Sequence, residues 1–496
     1  MTTRGARPIV ELLRGMNADV STTISVPGVR LDSRTIQPGE LFVAVRSGNS
    51  HGAEFIDSAI ANGAGAVLVD QHARLDVKAL AVPCIVVENL EQHLGEIAHN
   101  MYGKAGQELA VFAVTGTNGK TSCCSAYASL HSRLGASCGF IGTLGWGVDD
   151  NYAATGYTTP DVFSTHEICA ELLQRGCAAV AMEVSSHALA QNRIAGIAVR
   201  TAVFTNLTHD HLDYHASEAD YAAQKSKLFE RESLTTAVLN IDDALGEQLA
   251  TRLKQRPQLQ VLAYSVGQKT ADVWADDIVF GAQGMRATVH SPWGSAEVTS
   301  KLFGEFNLSN LLAVISSLCA ESFEFERVIE AVSELEGAAG RMQTVPNDIG
   351  LHIVIDYAHT PDALQNALAA LRRHCTGQLW VVFGCGGDRD KSKRAPMGKI
   401  AELLADHVVV TNDNPRTEAE DVIAADIVSG ISKLGEIHIE LDRARAIEFA
   451  VQSAHVDDCV LVAGKGHEDY QEVNNEKLPF DDFSVVQSAL SKRTVH

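Results

Sequence analysis

Short hydrophobic runs alternate with amphipathic stretches through the last third of the chain. The hydrophobic runs predict strands: HIVIDYA, QLWVVFG, HVVVTND, EIHIEL and CVLVAG. The stretches between them predict helices: PDALQNALAALRRH, PMGKIAELLA, AEDVIAADIVSGI and ARAIEFAVQSA. Strands that alternate with helices of about 10 to 15 residues favour right-handed crossovers, so this segment is predicted to be an α/β fold with a parallel sheet.

The arrangement of predicted strands and helices changes twice along the chain, which gives three segments. The first segment mixes short strands with helices, and the stretch MYGKAGQEL at its end is predicted to be a linker. The middle segment opens with VFAVTGTNGKTS and ends near LEGAAGRMQTV. A chain of 496 residues is too long for one hydrophobic core. We therefore predict three domains, formed by residues 1–107, 108–338 and 339–496.

Composition and charge exclude several classes of protein. The net charge of −22, without a cluster of Lys and Arg, argues against nucleic acid as a partner, because binding its backbone needs a basic face. No apolar run approaches the roughly 18 residues of a membrane span, and the first residues lack the hydrophobic region of a signal peptide. The ten cysteines include no C-x-x-C pair and are expected to be reduced and mostly buried. A cytoplasmic protein without membrane insertion is therefore expected.

Polar and glycine-rich segments follow the predicted strands at their carboxyl ends. In open parallel sheets, ligands bind at that edge. The segments in question are residues 116–121, 183, 206–213, 384–390, 413–416 and 464–468. Their common position predicts that the chemistry of the protein lies at the carboxyl edges of its sheets.

The stretch VFAVTGTNGKTS has the ending of a phosphate-binding loop. The usual spacing G-x-x-x-x-G-K-[ST] requires Gly at position 114, where this chain has Val114. A strand that enters Gly-Thr-Asn-Gly-Lys-Thr and then a helix still points backbone N–H groups at one spot. Lys120 would meet terminal phosphates and Thr121 a magnesium ion. The alternative is a glycine-rich turn with an exposed lysine.

Glu183 ends a predicted buried strand, which allows two interpretations. A carboxylate near phosphates suits Mg²⁺, because magnesium prefers oxygen ligands. The alternative is a strand-end Glu that pairs with a nearby cation.

The stretch NLTHDHLDYH, residues 206–215, contains three His and two Asp. No Cys joins it and no HExxH spacing occurs, so helix caps or magnesium-site residues are favoured over a zinc site. Lys225, in YAAQKSKLF, is predicted from its own context to be a solvated helix lysine.

Two arginines follow neighbouring strands of the last segment: Arg389 in GCGGDRDK and Arg416 in DNPR. Together they predict bidentate recognition of a carboxylate or phosphate, with Pro415 fixing the approach of Arg416. Surface ion pairs would explain each arginine taken alone. The stretches LDSRTIQPGELFVAV and GEFNLSN have residue types that suit a base or ribose, although by themselves they are predicted only as loops.

Taken in order, these motifs resemble the Mur ligase family, the ATP-dependent amide-bond enzymes that build the peptide stem of peptidoglycan. The resemblance covers nearly the whole chain and rests on LDSR, GELFVA, TGTNGKT, TTP, EVSSH, TNLTHDHLDYH, GEFNLSN, GRMQ, DYAHTPDAL, FGCGGDRDKSKR, DNPR and GKGHE. Within the family, the chain resembles the members that add a diamino acid to UDP-N-acetylmuramoyl-L-alanyl-D-glutamate. The family's nucleotide loop has this compact form, so the resemblance favours a nucleotide site.

The resemblance implies a three-domain α/β fold: an N-terminal domain for the uridine nucleotide, a central P-loop-type ATPase domain with a mostly parallel sheet, and a C-terminal Rossmann-like domain that closes over the incoming amino acid. The implied ATP-binding residues are Gly116, Thr117, Asn118, Gly119, Lys120, Thr121, Ser122, Asn307, Asn310 and Arg341. The implied residues for the UDP-sugar dipeptide are Leu31, Ser33, Gly48, Asn49, Ser50, Thr158, Thr159, Ser185, Gln191 and Arg193. The implied residues for diaminopimelate are Arg389, Asp413, Asn414, Pro415, Arg416, Gly464 and Glu468.

Lys225 falls where the family carries a carbamylated lysine, N6-carboxylysine. An amine that has taken up CO₂ is an anion able to ligate magnesium. The implied Mg²⁺ ligands are therefore Thr121, Glu183, His211 and Lys225 as its carbamate. The implied catalytic residues are Lys120, Glu183, His211 and Lys225. Asp356, Tyr357 and His359 match the family's domain-closing DYAH motif.

The DNPR turn bears on the choice of amino acid. By resemblance, ligases that add meso-diaminopimelate carry this turn and lysine-adding relatives do not. Diaminopimelate has one carboxylate more than lysine, so a site that leaves Arg416 unpaired should reject lysine. Two departures concern the nucleotide-sugar substrate: His51 stands where relatives often have Asp, and Tyr157 stands where some have Asn.

The implied reaction activates the D-glutamyl carboxylate with ATP as an acyl phosphate, which the amine of diaminopimelate then attacks, with ADP and phosphate released in peptidoglycan precursor synthesis. ATP, the UDP-sugar dipeptide and diaminopimelate are the expected small-molecule partners of a monomer. A folate polyglutamate ligase is an alternative that would lack the LDSR and DNPR features. A catalytically silent ATP-binding regulator of cell-wall synthesis is another, and it predicts degenerate residues at positions 120, 183 or 225.

Overall fold

The computed structural model describes residues 5–18, 20, 23–47, 50–73, 80–208, 214–433 and 437–493, with the backbone alone at 46, 47, 50 and 51. The chain divides into two compact units, Met1–Ala263 and Tyr264–His496. The division falls within one strand, Gln260–Val266.

The first unit contains a small parallel sheet and the parallel part of a larger one. Its strands are β1 Arg7–Pro8, β2 Ser25–Val26, β3 Val29–Arg30, β4 Leu41–Ala44, β5 Arg46–Ser47, β6 Ser50–His51, β7 Ala66–Asp70, β8 Cys84–Val87, β9 Ala110–Thr115, β10 Cys138–Gly142, β11 Gly145–Val148, β12 Asn151–Ala153, β13 Ala179–Glu183, β14 Val199–Phe204, β15 Thr236–Asn240 and β16 Gln260–Val266. Its helices are α1 Ile9–Leu12, α2 Ile56–Ala61, α3 Leu90–Tyr102, α4 Ala105–Glu108, α5 Lys120–Arg133, α6 Val162–Gln174, α7 Ser186–Ala190, α8 Glu218–Ser226 and α9 Ala244–Leu253.

The small sheet has the order β3-β4-β7-β8, with every pair parallel. In the larger sheet the order through this unit is β12-β11-β10-β13-β9-β14-β15, and β9, β10, β13, β14 and β15 run parallel. The central strand β9, AVFAVT, is apolar on both faces because helices cover both sides of such a sheet. Its register aligns Val114 with Glu183 and Thr115 with Phe204, so three strands end together.

The second unit contains an antiparallel meander and a six-stranded sheet. Its further strands are β17 Val273–Gly281, β18 Gly284–Ser291, β19 Gly294–Ser300, β20 Gln343–Thr344, β21 His352–Asp356, β22 Leu379–Phe383, β23 His407–Val410, β24 Ile437–Ile439, β25 Cys459–Ala463, β26 Tyr470–Val473 and β27 Glu476–Pro479. Its helices are α10 Glu305–Ala320, α11 Phe325–Ser333, α12 Pro361–Arg372, α13 Arg394–Leu404, α14 Glu420–Val428, α15 Arg443–Ser453 and α16 Asp482–Ser491. The meander β17–β19 had no counterpart among the sequence-based predictions.

The six-stranded sheet has the order β20-β21-β25-β22-β23-β24 and is parallel except at β20. Each strand predicted from the hydrophobic runs of the last third is present, and a helix follows each of β21, β22, β23 and β24. Separate hydrophobic clusters cover the two faces of this sheet. The predicted α/β fold class with mostly parallel sheets is therefore confirmed.

One local prediction was wrong: the stretch GEFNLSN is not a loop, since α10 begins at Glu305. The predicted linker MYGKAGQEL contains the end of α3 at Tyr102 and the whole of α4, and Met101, Ala105 and Leu109 within it are buried. In the described part of the chain, no helix is long and apolar enough to cross a membrane. All ten cysteines are free thiols, as expected, and eight of them are buried.

Candidate active site

The segment after β9 wraps around the start of α5. Gly119, in left-handed backbone with φ 86°, precedes Lys120, the first residue of the helix. Lys120 is half-buried, and its Nζ donates to the carbonyl oxygens of Gly116 at 2.9 Å and Thr117 at 2.8 Å. A helix N-terminus with a lysine folded over its loop is an arrangement that binds phosphate. The interpretation as a simple turn with an exposed lysine is therefore disfavoured.

The loop is fixed by the segment that follows β14. The Thr117 N–H donates to the Asn206 carbonyl at 2.8 Å, and the Asn118 N–H donates to Asn206 Oδ1 at 2.9 Å. Thr205 Oγ1 donates to the Asn118 carbonyl at 2.6 Å. Gly116 passes so close to Thr205 that a Cβ at this position would collide with the threonine hydroxyl. The compact loop therefore requires glycine at 116, and its backbone is held in place before any ligand arrives.

The side chain of Lys225 reaches the same loop. Lys225 is on α8 and its side chain is buried, so the prediction of a solvated helix lysine was wrong. Lys225 Nζ donates to the carbonyl oxygen of Gly116 at 2.7 Å and lies 4.4 Å from the centre of the Tyr221 ring. Two lysine side chains, from α5 and α8, thus share one carbonyl acceptor.

Glu183 is fully buried at the end of β13. Its two carboxylate oxygens accept hydrogen bonds from the N–H of Thr143 at 2.8 Å and from its hydroxyl at 3.1 Å. Within the described part of the chain, no Lys, Arg or His forms an ion pair with Glu183, so the interpretation as an ion-paired strand end finds no support there. Burial, and next the Glu183 charge, raise the pKa of the Cys123 and Cys124 thiols on α5.

The stretch of residues 206–215, which follows β14, is described only in part. His211 lies outside the described residues. His215 is buried, with Nε2 at 2.9 Å from Ser186 Oγ and Nδ1 at 3.5 Å from Asp220. Across the described ranges, no group of three or more His, Cys, Asp or Glu side chains is arranged to hold a metal ion.

The predicted dipeptide residues form a hydrogen-bonded cluster beside Glu183. Thr159 Oγ1 donates to the Glu183 carbonyl at 2.8 Å and accepts from the Ser185 N–H at 3.1 Å. Arg193 Nη1 donates to the Thr159 carbonyl at 2.7 Å, and Arg193 Nε and Nη2 both donate to Gln191 Oε1, at 3.0 and 2.8 Å. These four residues, chosen from three separate stretches of sequence, therefore lie together.

Other residues predicted for this substrate have single contacts. Thr158 Oγ1 lies at hydrogen-bond distance, 3.2 Å, from Thr143 Oγ1, whose proton is donated to Glu183, so Thr143 connects Thr158 with Glu183. Tyr157, one of the two departures, is exposed and lies under Arg193, whose guanidinium is 5.1 Å from the ring centre.

The N-terminal part of the predicted substrate site is only partly visible. Ser33 is buried in a 3-10 turn and Leu31 is half-buried. Gly48 and Asn49 lie outside the described residues, and Ser50 and His51 are described only as the backbone of β6.

In the second unit, Arg341 and the DYAH motif form one cluster. The Arg341 guanidinium lies 4.8 Å from the centre of the Tyr357 ring, and the His467 ring lies 5.1 Å from the same centre. Burial, and next the Arg341 charge, lower the pKa of His467 to about 4, so this imidazole is neutral at neutral pH. Burial raises the pKa of Asp356, whose Oδ2 accepts from the Met342 N–H at 2.8 Å. His359 Nδ1 bonds to the Tyr357 carbonyl at 2.7 Å.

Asn307 and Asn310 lie on the first turns of α10 and are buried. Asn307 Nδ2 donates to the Phe303 carbonyl at 2.9 Å, and Asn310 Nδ2 donates to Asn307 Oδ1 at 3.2 Å. The two amides thus fix one another's orientation.

The DNPR turn follows β23. Arg416 adopts left-handed backbone with φ 53°, a conformation that is unusual for a residue with a side chain. Its Nε donates to Glu472 Oε2 at 3.0 Å and its Nη1 to the Gly387 carbonyl at 2.9 Å. Among the residues that the structure describes, Nη2 has no hydrogen-bond partner. The expected bidentate recognition by Arg416 would therefore require displacement of Glu472 or Gly387, whereas a single bond through Nη2 would not.

Asn414 and Glu468 are joined by a lysine that the sequence analysis did not select. Asn414 Nδ2 donates to Glu468 Oε2 at 2.8 Å. Lys465, fully buried, donates to both Asn414 Oδ1 and Glu468 Oε2 at 3.2 Å. Gly464 precedes it with φ 118°, and a Cβ there would lie 2.5 Å from Asp413 Oδ2. The DNPR turn and the GKGHE turn are thus in direct contact.

Arg389 lies close to Arg416, as predicted. A Cβ placed on Gly386 would be 3.0 Å from Arg416 Nη1 and 3.8 Å from Arg389 Cγ, so the two arginines flank this glycine. Arg389 is exposed and forms no hydrogen bond or ion pair with any residue in the described ranges. It is therefore available to an anionic ligand.

Comparison with known proteins decides the family. Three family models match the chain: "Mur ligase family, catalytic domain" at residues 25–102, "Mur ligase middle domain" at 114–318 and "Mur ligase, glutamate ligase domain" at 340–466. A protein of Coxiella burnetii named UDP-N-acetylmuramoyl-L-alanyl-D-glutamate--2,6-diaminopimelate ligase is 43% identical over 97% of this chain and 99% of its own length. The chain belongs to the Mur ligase family.

Solved structures of Mur ligases share the fold. A structure named as the same 2,6-diaminopimelate ligase is 36% identical, covers 98% of this chain and 99% of that one, and superposes with a TM-score of 0.72. The MurF ligase of Thermotoga maritima, solved in complex with ADP, is 19% identical, covers 94% of this chain and 97% of that one, and has a TM-score of 0.61. At that identity the second likeness shows the fold alone.

Sequence reasoning missed three side chains that contact the predicted site residues: Thr143, Lys465 and Glu472. Lys465 sits inside the GKGHE motif, between two residues that were selected, so the motif could have signalled it. Thr143 and Glu472 carry no signal in the sequence, because their contacts with Glu183 and Arg416 join residues distant along the chain.

Proposed function

We propose that this Mur ligase joins meso-diaminopimelate to the D-glutamyl side-chain carboxylate of UDP-N-acetylmuramoyl-L-alanyl-D-glutamate. The observation that carries the proposal is the identity of 43%, over nearly the full length of both chains, with a ligase named for that reaction. The enzyme uses ATP and releases ADP and phosphate. Its product is a cytoplasmic precursor of peptidoglycan, and the enzyme acts as a monomer.

The domain assignment is part of the proposal. Residues 1–107 bind the uridine nucleotide, with Leu31, Ser33 and residues 48–50 at the site. Residues 108–338 bind ATP, and residues 339–496 bind the amino acid. Thr158, Thr159, Ser185, Gln191 and Arg193 hold the muramoyl dipeptide, an assignment supported by the hydrogen-bonded cluster that contains Thr159, Ser185, Gln191 and Arg193.

ATP binds at the loop of residues 116–122, with Asn307, Asn310 and Arg341 near its base and phosphates. In this assignment the N–H groups at the start of α5 face the phosphates, and Lys120 exchanges its bonds to the loop carbonyls for bonds to the γ-phosphoryl group. Transfer of a phosphoryl group depends mainly on positioning and on neutralising charge. Lys120 therefore supplies the mobile positive charge of the transfer step.

Magnesium fits the donors at this site. Thr121 offers a hydroxyl and Glu183 a buried carboxylate that has no cation partner in the described residues, and hard oxygen donors of this kind suit Mg²⁺. Lys225 as its carbamate, N6-carboxylysine, and His211 complete the proposed set. When bound, the ion neutralises phosphate charge. Thr143 holds the Glu183 carboxylate in one orientation through both of its oxygens.

The amino-acid site is assigned to the DNPR and GKGHE turns. Diaminopimelate carries two ammonium and two carboxylate groups. Arg389 and Arg416 offer positive charge to the carboxylates, and Asp413 and Glu468 offer negative charge to the ammonium groups. Asn414, Pro415 and Gly464 shape the same turns. Nη2 of Arg416, which has no partner among the described residues, would be left unsatisfied by lysine, which lacks the second carboxylate, so lysine should bind poorly.

The reaction follows from these positions. The D-glutamyl carboxylate is a poor electrophile until the γ-phosphoryl group of ATP is transferred to it, which gives an acyl phosphate and ADP. The neutral amine of diaminopimelate then attacks the acyl carbon, and phosphate leaves as the amide forms. Holding amine and acyl phosphate together raises the effective concentration of the nucleophile and favours it over water.

The deciding experiment measures ADP release with UDP-N-acetylmuramoyl-L-alanyl-D-glutamate and ATP, with meso-diaminopimelate and L-lysine tested in parallel. Release with diaminopimelate alone is expected. ADP release with lysine at a similar rate would support the ligase activity but contradict the specificity for diaminopimelate that is assigned to Arg416. Absence of release with either amino acid would contradict the proposed function and favour a folate polyglutamate ligase or a silent ATP-binding regulator.

A further inference from the structure

A buried ion pair lies directly behind the DNPR and GKGHE turns. Arg443 is the first residue of α15, Asp482 is the first residue of α16, and neither side chain is exposed. Arg443 Nε donates to Asp482 Oδ1 at 2.8 Å and Nη2 donates to Oδ2 at 2.7 Å, so the pair is bidentate. The carboxylate thereby fixes the plane and direction of the guanidinium.

The guanidinium reaches beyond its partner to two strand ends. Arg443 Nη1 donates to the carbonyl of Asn412 at 3.1 Å, just after β23. Arg443 Nη2 donates to the carbonyl of Ala463 at 3.0 Å, the last residue of β25. The residues that follow these two carbonyls are Asp413 and Gly464, both assigned to the amino-acid site.

The two strand ends are not neighbours in the sheet, since β22 lies between β23 and β25. The last backbone bond between β22 and β23 runs from the Thr411 N–H to the Phe383 carbonyl at 2.9 Å. On the other side, the Gly464 N–H is bonded to the Asp356 carbonyl on β21. Beyond these bonds, Arg443 bonds to the carbonyls at both strand ends. It acts there together with the direct bonds between the two turns, from Asn414 to Glu468 and from Lys465 to Asn414.

Helix capping does not explain the pair. Asp442 accepts the N–H groups of Ala444 and Arg445 at the start of α15, and Asp481 accepts the Ser484 N–H at the start of α16. Replacing a buried ion pair by apolar residues of similar volume is often neutral for stability, so stability alone is a weak reason for this one. The contacts with the two carbonyls are the feature that an apolar replacement could not reproduce.

We propose that Arg443, held by Asp482, is a positioning residue for the amino-acid site: it sets the spacing between the 413–416 turn and the 464–468 turn. This inference rests on the proposed function for the identity of the ligand. The two turns are tightly packed against each other, since a Cβ on Gly464 would lie only 2.5 Å from Asp413 Oδ2. A loss of the spacing therefore affects the amino acid first and leaves the nucleotide substrates largely unaffected.

The test compares the double variant R443M/D482L with a matched control, E448L/K492M. The control removes an ion pair of 3.3 Å that joins α15 to the residue after α16 but has exposed partners and touches neither strand end. R443K is the second variant, because it keeps the charge and loses the guanidinium fork. Two quantities are measured: amide hydrogen exchange of residues 411–416 and 463–468 in the substrate-free protein, and the KM of each substrate.

For R443M/D482L, exchange in the two turns and the KM for diaminopimelate should each rise about tenfold to a hundredfold, as expected for loss of hydrogen bonds to a charged group. The KM values for ATP and the UDP-sugar dipeptide should stay within about twofold. R443K should show a smaller rise in the KM for diaminopimelate, and the control should match the native protein in both measurements.

Unchanged exchange and unchanged KM for diaminopimelate in both Arg443 variants would overturn the inference. An equal rise in all three KM values would also overturn it, because that result indicates general loss of structure. If the double variant does not fold, R443K decides by the same criteria. If the native protein does not use diaminopimelate as a substrate, the proposed function is contradicted. Hydrogen exchange is measured without substrate, so it still tests whether Arg443 sets the spacing of the two turns.

Discussion

Lys120 and Lys225 donate to the same acceptor, the carbonyl oxygen of Gly116, at 2.9 and 2.7 Å. The two ammonium groups are necessarily close, and like charges that share a buried position repel each other. Conversion of one lysine to an anionic carbamate would replace this repulsion by attraction. Lys225 is the more buried of the two and lies on a separate helix, which supports its assignment as the modified residue.

Replacement of Lys225 by Ala should abolish ligation, because the variant cannot form the carbamate. The substitution leaves space next to Gly116, so a short carboxylate such as acetate or formate should restore part of the activity by supplying the missing anion. Turnover of K225A is measured with and without these acids. The control is K227A, since Lys227 is an exposed lysine two residues further along the chain and should behave as the native enzyme does. Normal turnover by K225A without any acid would contradict the carbamate assignment.

Replacement of Lys120 by Ala should reduce ADP formation by about a hundredfold to a thousandfold, the usual cost of losing one group that stabilises transition-state charge. Thermal stability should change little, because the bonds lost are those to two loop carbonyls. The control is K104A, at an exposed lysine before the loop. ADP formation by K120A at the native rate would remove the loop from the mechanism.

Replacement of Arg416 by Ala should raise the KM for diaminopimelate about tenfold to a hundredfold, which corresponds to one charge-assisted hydrogen bond. The much weaker use of lysine should change little, so the ratio of kcat/KM for the two amino acids should fall by a similar factor. R445A is the control, at an exposed arginine of the same domain. An unchanged ratio in R416A would show that the DNPR turn does not select the substrate.

His166 should make the first unit sensitive to acid. Burial, assisted by His99, lowers the pKa of His166 to about 4 in the folded protein, and in the unfolded chain it is about 6.5. Above pH 6.5 the group is neutral in both states and has no effect. As the pH falls from 6.5 to 4, only the unfolded chain gains the proton, so the free energy of unfolding falls by up to about 1.4 kcal/mol per pH unit.

The measurement is urea unfolding at pH 7.5, 6 and 5 for the native protein and H166Q. Gln retains a donor for the Ala195 carbonyl, which His166 Nε2 contacts at 2.8 Å. H166Q should lose less stability than the native protein between pH 7.5 and 5. The control H72Q, at an exposed histidine, should lose as much stability as the native protein. Equal slopes for H166Q and the native protein would contradict the assignment.

The sequence by itself determined the parts of this protein that depend on local pattern. Alternation of apolar runs with amphipathic stretches specifies the parallel sheet of the last third, because each element must bury one face against its neighbours. The glycines, Lys120 and Thr121 of the loop predict a phosphate site, because the pattern of residue types that indicates it lies within a few residues. The DNPR and GKGHE turns were found for the same reason.

Only the tertiary structure decided which distant side chains meet. Lys225 was predicted from its own context to be solvated, yet the packing of α8 places it on Gly116. Thr143 orients Glu183, and Arg443 joins two strand ends that are not adjacent in the sheet. These contacts have no local signature, since hydrogen bonding depends on the separation of atoms in space, and that separation is set by the fold of the whole unit.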